Sequence, residues 1–362
     1  MLRQRAYYYC QACHAGHAPI DPALGLSASE LTPGAEQVAA LAGATDPFGV
    51  AAERILPKLS GLRLAESTVE RAAEAAGSRL GERLVRGDTF GPATIWPWHH
   101  DADGKACAYL SIDATGVGIQ GPGGSRSEGR MAYVATVFNP IAPALADPRG
   151  PRPPRPEAVS HARYLAGFHD LDGLGEQLAR QGRQVGLGRA DRVIALTDGG
   201  NGLEDWVRLH FPTAELILDF WHAAGHLAEA ARELRPGDAA GARELTEEWC
   251  HQMKQEGGEA TLARLAGYDL SDLGAEALEV HRRVRQYLAK NVHRMDYPRY
   301  RRNGWQIGSG TVESACKTVV GKRLKGGGMR WGSDGANAVC HLRALLLGEK
   351  GQWDAFWTQG IN

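Results

Sequence analysis

Hydrophobic and polar positions follow two different patterns in the two halves of this chain. Residues 27–90 are predicted to be helical, and in "PFGVAAERILPKL" and "LAESTVERAAEAAGSRLGERLV" apolar residues recur every three or four positions. A break at Gly61 separates the two segments, and Ser67 or Thr68 could cap the second. Two helices joined by a glycine turn are typical of a helix-turn-helix with residues 67–86 as its recognition helix, and a plain helical bundle fits the same pattern.

From residue 106 onward, short apolar runs alternate with turns and amphipathic segments. The runs predict strands at 108–113, 129–139, 192–197 and in "AELILDFWH" at 214–222. Helices are expected at about 171–187 and in "NGLEDWVRLHF", and this order predicts an α/β fold with a mixed sheet and crossover helices. Residues 140–157 are rich in proline and are expected to form an extended surface excursion. The chain then reads as almost entirely helical from 222 to 298, and a last glycine break precedes a final helix.

The glycines at positions 116, 118 and 121 match the GxGxxG pattern of dinucleotide-binding folds. That pattern requires a helix to begin at the glycines. Here a polar glycine-rich loop leads into a second strand, so we reject a dinucleotide site.

Composition is typical of a globular protein, and the location that we expect is cytoplasmic and nucleoid-associated. No apolar run reaches the roughly 18 residues of a membrane span, and the basic start is not followed by an apolar signal region. The six cysteines are scattered except for Cys10 and Cys13. These two, with His14 or His17, could hold zinc.

Basic residues are concentrated in one part of a chain whose formal net charge is only −1. Between Arg282 and Arg330 there are thirteen Lys or Arg residues and two acids, Asp296 and Glu313. A local basic field of this strength predicts a polyanionic partner, with a solvated helix face as the alternative.

Three acids stand in positions that favour metal binding. Asp113 and Asp198 each follow a predicted buried strand, and sites collect at the carboxyl ends of such strands. Glu313 lies in the first turn of the predicted final helix. Taken singly, each acid could be a turn-former or a helix cap. Together, three carboxylates could hold two Mg²⁺ or Mn²⁺ ions for phosphoryl transfer.

Four sequence blocks carry a resemblance to a known family. They are "SIDATGV" at 111–117, "ALTDGGNGLEDWV" at 195–207, "FPTAELILDFWHAAGHL" at 211–227 and "IGSGTVESACKTVVGKRLKGGGMRW" at 307–331. Together they resemble the signature blocks of ISKra-type insertion-sequence transposases, over roughly residues 105–345. The order of strands, helices and acids likewise resembles a DDE transposase core of the RNase H-like superfamily.

The resemblance implies a fold, a site and a set of partners. The fold would be an RNase H-like mixed sheet with a helical insertion, preceded by a helical, helix-turn-helix-like N-terminal domain. Asp113, Asp198 and Glu313 would be the catalytic triad and would bind two Mg²⁺ ions, with Asp219 and His222 beside them. The implied reaction is metal-dependent cleavage and strand transfer at element ends. The partners would be double-stranded DNA, as terminal repeats and target, and further copies of the chain on that DNA.

The remaining expectations concern phosphate contacts, aromatic residues and domain limits. We expect five basic residues to contact backbone phosphates: Lys317, Lys322, Arg323, Lys325 and Arg330. Trp305, Trp331, Phe220 and Trp221 are expected to be packed, and His226 to be structural. The expected divisions are a loop-rich CxxC segment at 1–26, a DNA-binding candidate at 27–100, the first part of the core at 101–221, a helical insertion at 222–300 and the completed core with its C-terminal tail at 301–362. Two alternatives stay open: a catalytically inactive or domesticated DNA-binding relative, and an RNase H-like nuclease that cuts without joining.

Overall fold

The computed structural model describes residues 6–23, 31–121, 125, 128–140, 161–200, 202–271, 273–327 and 329–359. Most of the predicted proline-rich segment at 140–157 lies outside these ranges, as does much of the glycine-rich loop before residue 128. Within the described part, none of the helices combines the length and the apolar character needed to cross a bilayer.

The N-terminal part contains a two-stranded sheet and a group of helices. Strands β1 (Tyr8–Tyr9) and β2 (Gly16–His17) pair antiparallel. The helical elements that follow are α1 (Ile20–Ala23), α2 (Pro33–Thr45), α3 (Phe48–Val50), a π-helical turn (Ala51–Ile55), α4 (Leu56–Leu59) and α5 (Glu66–Arg86). Helix α5 begins earlier than the predicted Ser67 or Thr68 cap, with Ala65 at its N-cap. It ends at Gly87, whose φ of 106° suits a residue without a Cβ.

The central sheet confirms the prediction of a mixed α/β fold. Its strands are β3 (His99–His100), β4 (Ala106–Ile119), β5 (Glu128–Phe138), β6 (Ala162–Gly167), β7 (Arg192–Thr197) and β8 (Glu215–Leu218). The strand order is β6-β5-β4-β7-β8, with β3 beside β4. Strands β4, β5 and β6 form an antiparallel meander, whereas β7 and β8 run parallel to β4. Most of the GxGxxG segment lies in β4, which continues without a helix and so agrees with the rejection of a dinucleotide site.

Helices cover both faces of this sheet. They are α6 (Leu171–Gln184), α7 (Leu203–His210), α8 (Phe220–Leu234), α9 (Ala239–Ala266), α10 (Ala275–Asn291), α11 (Tyr297–Arg302), α12 (Gly310–Ala315), α13 (Lys322–Leu324), α14 (Ser333–Leu347) and α15 (Gln352–Thr358). Short 3₁₀ turns lie at Leu187–Arg189 and Val292–Arg294, and a π-helical turn at Cys316–Gly321 joins α12 to α13. The predicted final helix is therefore two short helices joined by a π turn, and α14 and α15 follow it.

The N-terminal helices share a core with the sheet and the C-terminal helices. Alternate residues of β4, including Leu110 and Ile112, pack in one cluster with Leu80 of α5 and Phe90. The other face of β4, with Tyr109, packs against α8 and α10. Helix α5 lies directly on α14, where Gly77 faces the backbone of Ala338. The segment predicted as a DNA-binding candidate at 27–100 thus contributes a layer of this core.

The aromatic residues expected to be packed divide into two groups. Phe220, Trp305 and Trp331 are buried, which confirms the prediction for them. Trp221 is different, because 59% of it is exposed although it is the second residue of α8. The prediction that Trp221 is packed in the interior is therefore wrong, because most of its ring faces solvent.

Candidate active site

Asp113 and Asp198 occupy matching positions on adjacent parallel strands. The last registered pair between β4 and β7 is Ile112 with Thr197, so the two acids are the first residues beyond the paired stretch. Side chains alternate along a strand, and Asp113 therefore shares the face of Tyr109 that α8 covers. Continuing the alternation from Leu196 places Asp198 on that same face. Asp198 also accepts a hydrogen bond from the Gly200 amide at 2.8 Å, so its predicted turn-forming role is present as well.

Asp219 joins the two chain segments that enclose the site. Its Oδ1 caps α8 by accepting hydrogen bonds from the amides of Trp221 at 2.5 Å and His222 at 3.0 Å. Its Oδ2 accepts the amide of Ser309 at 2.5 Å, across 90 residues of chain. Burial raises the pKa of this carboxyl, but the hydrogen bonds from His222 and Ser309 outweigh burial, so the pKa is lowered overall. A buried anion held by three amides fixes the start of α8 relative to the segment leading into α12.

His222 lies among the acids of the site. Its Nδ1 is 3.6 Å from Asp219 Oδ1 and 4.0 Å from Glu313 Oε1, which are ionic rather than hydrogen-bonding distances. The carboxylate of Asp219, followed by those of Asp198 and Asp113, raises the pKa of His222 to about 9. The imidazole is therefore sensitive to the negative charge of Asp198, which follows β7, and of Asp113, which lies inside β4 and not at its predicted end because β4 continues to Ile119 in pairing with β5.

Glu313 reaches the site because α12 is bound to the sheet by apolar contacts. Val312 and Ala315 on either side of it in sequence are buried against Val117 of β4 and Val134 of β5. Glu313 itself stays partly exposed and turns toward His222. One turn further, the thiol of Cys316 lies 3.5 Å from Asp113 Oδ2. Burial, together with the charge of Asp113, raises the pKa of Cys316, so this thiol stays protonated.

Of the three predicted acids, only Glu313 belongs to the group of potential metal ligands found in the described part of the chain, and Asp219 and His222 complete that group. Among the described residues, Asp219, His222 and Glu313 form a group whose ligand atoms all lie within 4.8 Å of one another. Asp113 borders this group through Cys316, and Asp198 through its charge on His222. From the sequence, Asp219 and His222 were placed only beside the site. Their spacing of three residues at a strand-to-helix junction was the signal for this pairing.

A buried arginine supports the β7 end of the site. Arg294 is 2% exposed and donates to Thr197 Oγ1 at 2.7 Å and to the carbonyl of Asp198 at 3.1 Å. Beside it, Tyr287 accepts the amide of Gly199 at 3.1 Å, and burial raises the pKa of this tyrosine to about 12. Arg294 belongs to the basic stretch that predicts a polyanionic partner, yet its side chain is buried in the interior.

The five basic residues expected to contact phosphates do not share one environment. Lys317, Lys322, Lys325 and Arg330 are exposed. Lys325 also donates to Thr115 Oγ1 on β4. Arg323 is 2% exposed, donates to the carbonyl of Gly43 at 3.0 Å and lies over the Phe48 ring. Its guanidinium thus joins α13 to the N-terminal helices, and this accounts for an arginine there without any phosphate.

Cys10 and Cys13 lie at the exposed turn between β1 and β2. Hydrogen bonds from the Cys13 backbone and thiol and from the Ala12 backbone lower the pKa of Cys10, which favours the thiolate that zinc requires. Two thiols supply half of a tetrahedral site. The zinc site therefore stays a prediction, and the side chain of His17 lies outside the described atoms.

The carboxylates of the site suit a hard divalent cation. Carboxylate oxygens are the ligands that Mg²⁺ and Mn²⁺ prefer, and here they come from the middle of β4, from the residue after β7 and from a short helix held by buried contacts. The unpaired Nδ1 of His222 lies within the same group. No protein-family model matches this chain, and no curated protein matches it.

Proposed function

We propose that this protein is a DNA transposase of the DDE type, which cleaves and joins DNA strands with the help of divalent cations. The observation that supports the proposal is the placement of Asp113 and Asp198 at the first positions beyond the parallel pairing of β4 and β7, near His222, whose Nδ1 lies 4.0 Å from Glu313 on α12. The mixed sheet, in which β7 and β8 run parallel to β4, is compatible with the RNase H-like core that the proposal requires. We assign the helices between β8 and α12 to the helical insertion expected at 222–300.

The environment of each side chain indicates the role that it would have in the site. Asp113, Asp198 and Glu313 would hold the cations, because each is partly exposed at the edge of the site. Asp219 is fully buried and already accepts three amide hydrogen bonds, so we assign it the positioning of α8 and of the segment before α12. When bound, Mg²⁺ would supply the Lewis acidity that activates an attacking oxygen and stabilises the leaving one.

His222 is suited to hold a proton next to the reacting phosphate. The surrounding carboxylates raise its pKa, which favours an imidazolium that could neutralise charge on a phosphate oxygen or donate to a leaving oxygen. The exposed Lys317, Lys322, Lys325 and Arg330 could bind the phosphate backbone leading away from the site.

The proposal predicts metal-dependent strand cleavage that requires each of the three acids. With supercoiled plasmid carrying the element's flanking repeats and Mg²⁺ or Mn²⁺, the wild-type protein should nick at the repeat edges. Asp113→Asn, Asp198→Asn and Glu313→Gln should each reduce nicking by at least about 100-fold, since each variant loses a charged ligand. Binding of the same DNA should change by less than about threefold. Nicks are scored on sequencing gels, and EDTA should abolish them.

The matched control is Asp205→Asn, which removes an exposed acid on α7. It should nick like the wild type. If Asp113→Asn cleaves like the wild type, the proposed site is wrong. Cleavage without joining of the new 3′-OH to target DNA would identify a nuclease, and specific binding without cleavage a non-catalytic DNA-binding protein.

A further inference from the structure

A groove beside the candidate active site has an aromatic wall and a glycine in its floor. It has a volume of about 380 Å³ and is lined by Trp221, His222, Gly225, His226, Glu229, Arg232 and Glu313. All but Glu313 lie on α8, where positions 221, 225 and 229 follow each other on one face. The groove shares His222 and Glu313 with the cluster described above, so a ligand in it would adjoin that cluster.

Trp221 is held in a fixed position although it is exposed. Its indole edge lies against Gly308, where a Cβ would come within 2.8 Å of Trp221 Cδ1. The ring also packs edge-on against Phe220, with centroids 5.3 Å apart, and Lys254 Nζ lies 5.5 Å from its centroid. An exposed aromatic ring fixed on its other sides is a surface on which a flat ligand can stack.

Gly225 has no packing reason to be a glycine. A Cβ at this position would meet nothing within 4 Å, and the residue has no left-handed backbone angle. Glycine in a helix interior destabilises the helix relative to alanine. At this position its effect is to leave space one turn from the Trp221 ring.

Of the two acids that line the groove, Glu313 belongs to the proposed cation site and Glu229 is paired, which leaves Arg232 as the charge available to a nucleic-acid strand. Arg232 is exposed at its far end, and Glu229 is neutralised by Arg283 and lies 3.6 Å from His226. Positive groups near an aromatic wall are the usual features of sites that bind single-stranded nucleic acid by stacking.

We infer that Trp221 and Gly225 form a subsite for one unstacked nucleobase of the DNA strand next to the scissile phosphate. The base lies on the Trp221 ring over Gly225, and its phosphate extends toward Arg232. This inference rests on the proposed function, and it adds that the strand is locally unpaired when it enters the site.

The experiment compares oligonucleotides that differ only in their bases. Affinities of the full chain for a 5′-labelled (dA)₂₀ and for an abasic 20-mer are measured by fluorescence anisotropy at one salt concentration. Trp221→Ala should weaken (dA)₂₀ binding by about tenfold, the size expected for loss of one stacked base, and leave the abasic 20-mer unchanged. Trp221→Phe should restore most of the loss. Gly225→Leu should weaken (dA)₂₀ binding to a similar extent without lowering the thermal midpoint, since its side chain enters open space.

The control is Tyr8→Ala, which removes an aromatic ring of similar exposure (63%) on the N-terminal two-stranded sheet. It should bind both oligonucleotides like the wild type. If Trp221→Ala weakens binding of both oligonucleotides equally, or weakens neither, the inference is overturned. A wild-type protein that nicks DNA with Mg²⁺ but does not prefer (dA)₂₀ over the abasic 20-mer overturns the inference alone. One that neither nicks nor binds DNA overturns the proposed function as well.

Discussion

At the scale of single residues, the clearest feature is how burial divides groups of the same chemical type. Asp219 is buried and accepts hydrogen bonds from three backbone amides, whereas Asp113 is partly exposed. Arg323 and Arg294 are interior, whereas Lys317 is exposed. Sequence alone treats these acids, and these bases, as equivalent, because exposure is decided by packing partners that are distant in the chain.

One buried histidine, His341, should contribute to a loss of stability at acid pH. Burial, with a smaller effect from the nearby His169, lowers the pKa of His341 to about 3. Its ordinary value is 6.5, so below that pH the unfolded chain binds a proton that the folded chain excludes, and stability falls as pH falls. As the pH falls from 7 to 5.5, this histidine should lower the free energy of unfolding by about 1 kcal/mol.

Denaturant unfolding of the wild type and His341→Gln at the two pH values measures this effect. The variant should lose less stability than the wild type over the same interval, and the exposed control His100→Gln should behave as the wild type. Equal losses in wild type and His341→Gln would mean that His341 gains its proton without cost in the folded state.

At the scale of elements, apolar periodicity predicts the strands and helices that bury one recurrent apolar face. The strands at 108–113, 129–139 and 192–197 and the helix from 171 are present, because each buries a recurrent apolar face. The final helix was predicted as one piece, and the π turn at Cys316–Gly321 interrupts it. Its position depends on Val312 and Val319 packing on β4 and β5, which no local pattern reveals.

Two helix glycines should respond oppositely to the same substitution. At Gly77 of α5, a Cβ would come within 2.2 Å of the Ala338 carbonyl oxygen, so Gly77→Ala must push α5 and α14 apart. We expect it to destabilise the fold by about 1–3 kcal/mol. Gly225→Ala meets no neighbour and should stabilise by about 0.5–1 kcal/mol. Thermal unfolding measures both, and a stabilising Gly77→Ala would contradict the close approach of the two helices.

At the scale of the whole molecule, segments that are far apart in the chain are joined by hydrogen bonds to one carboxylate. Glu349, which follows α14, accepts hydrogen bonds from Trp96 Nε1 and from Arg163 Nε of β6, each at 2.7 Å. Arg163 is 0% exposed, and its guanidinium also donates to the Pro92 carbonyl. The loop before β3, an edge strand of the sheet and the C-terminal region therefore meet at this pair.

Removal of that carboxylate should destabilise the whole fold. Glu349→Ala leaves the Arg163 guanidinium buried without its anion, at a cost of about 3–5 kcal/mol. The unfolding midpoint should fall as a single transition, because the three segments share one core. Glu279→Ala, which breaks an exposed pair with Arg282, is the control and should leave the midpoint unchanged. A loss no larger than that of the control would mean that the buried pair contributes little.

The contact between Asp219 and Ser309 also affects how the segment between them can change in length and sequence during evolution. The amide of Phe220 donates to the carbonyl of Ile307 at 2.9 Å, so the 86 intervening residues leave and rejoin the sheet at one point. A segment with adjoining ends can lengthen, shorten or be exchanged with little strain on what lies outside it. Versions that lose Arg294 or Tyr287, however, would need substitute partners for Thr197 and Gly199. Evolutionary changes in this segment should therefore be accompanied by compensating changes at the end of β7.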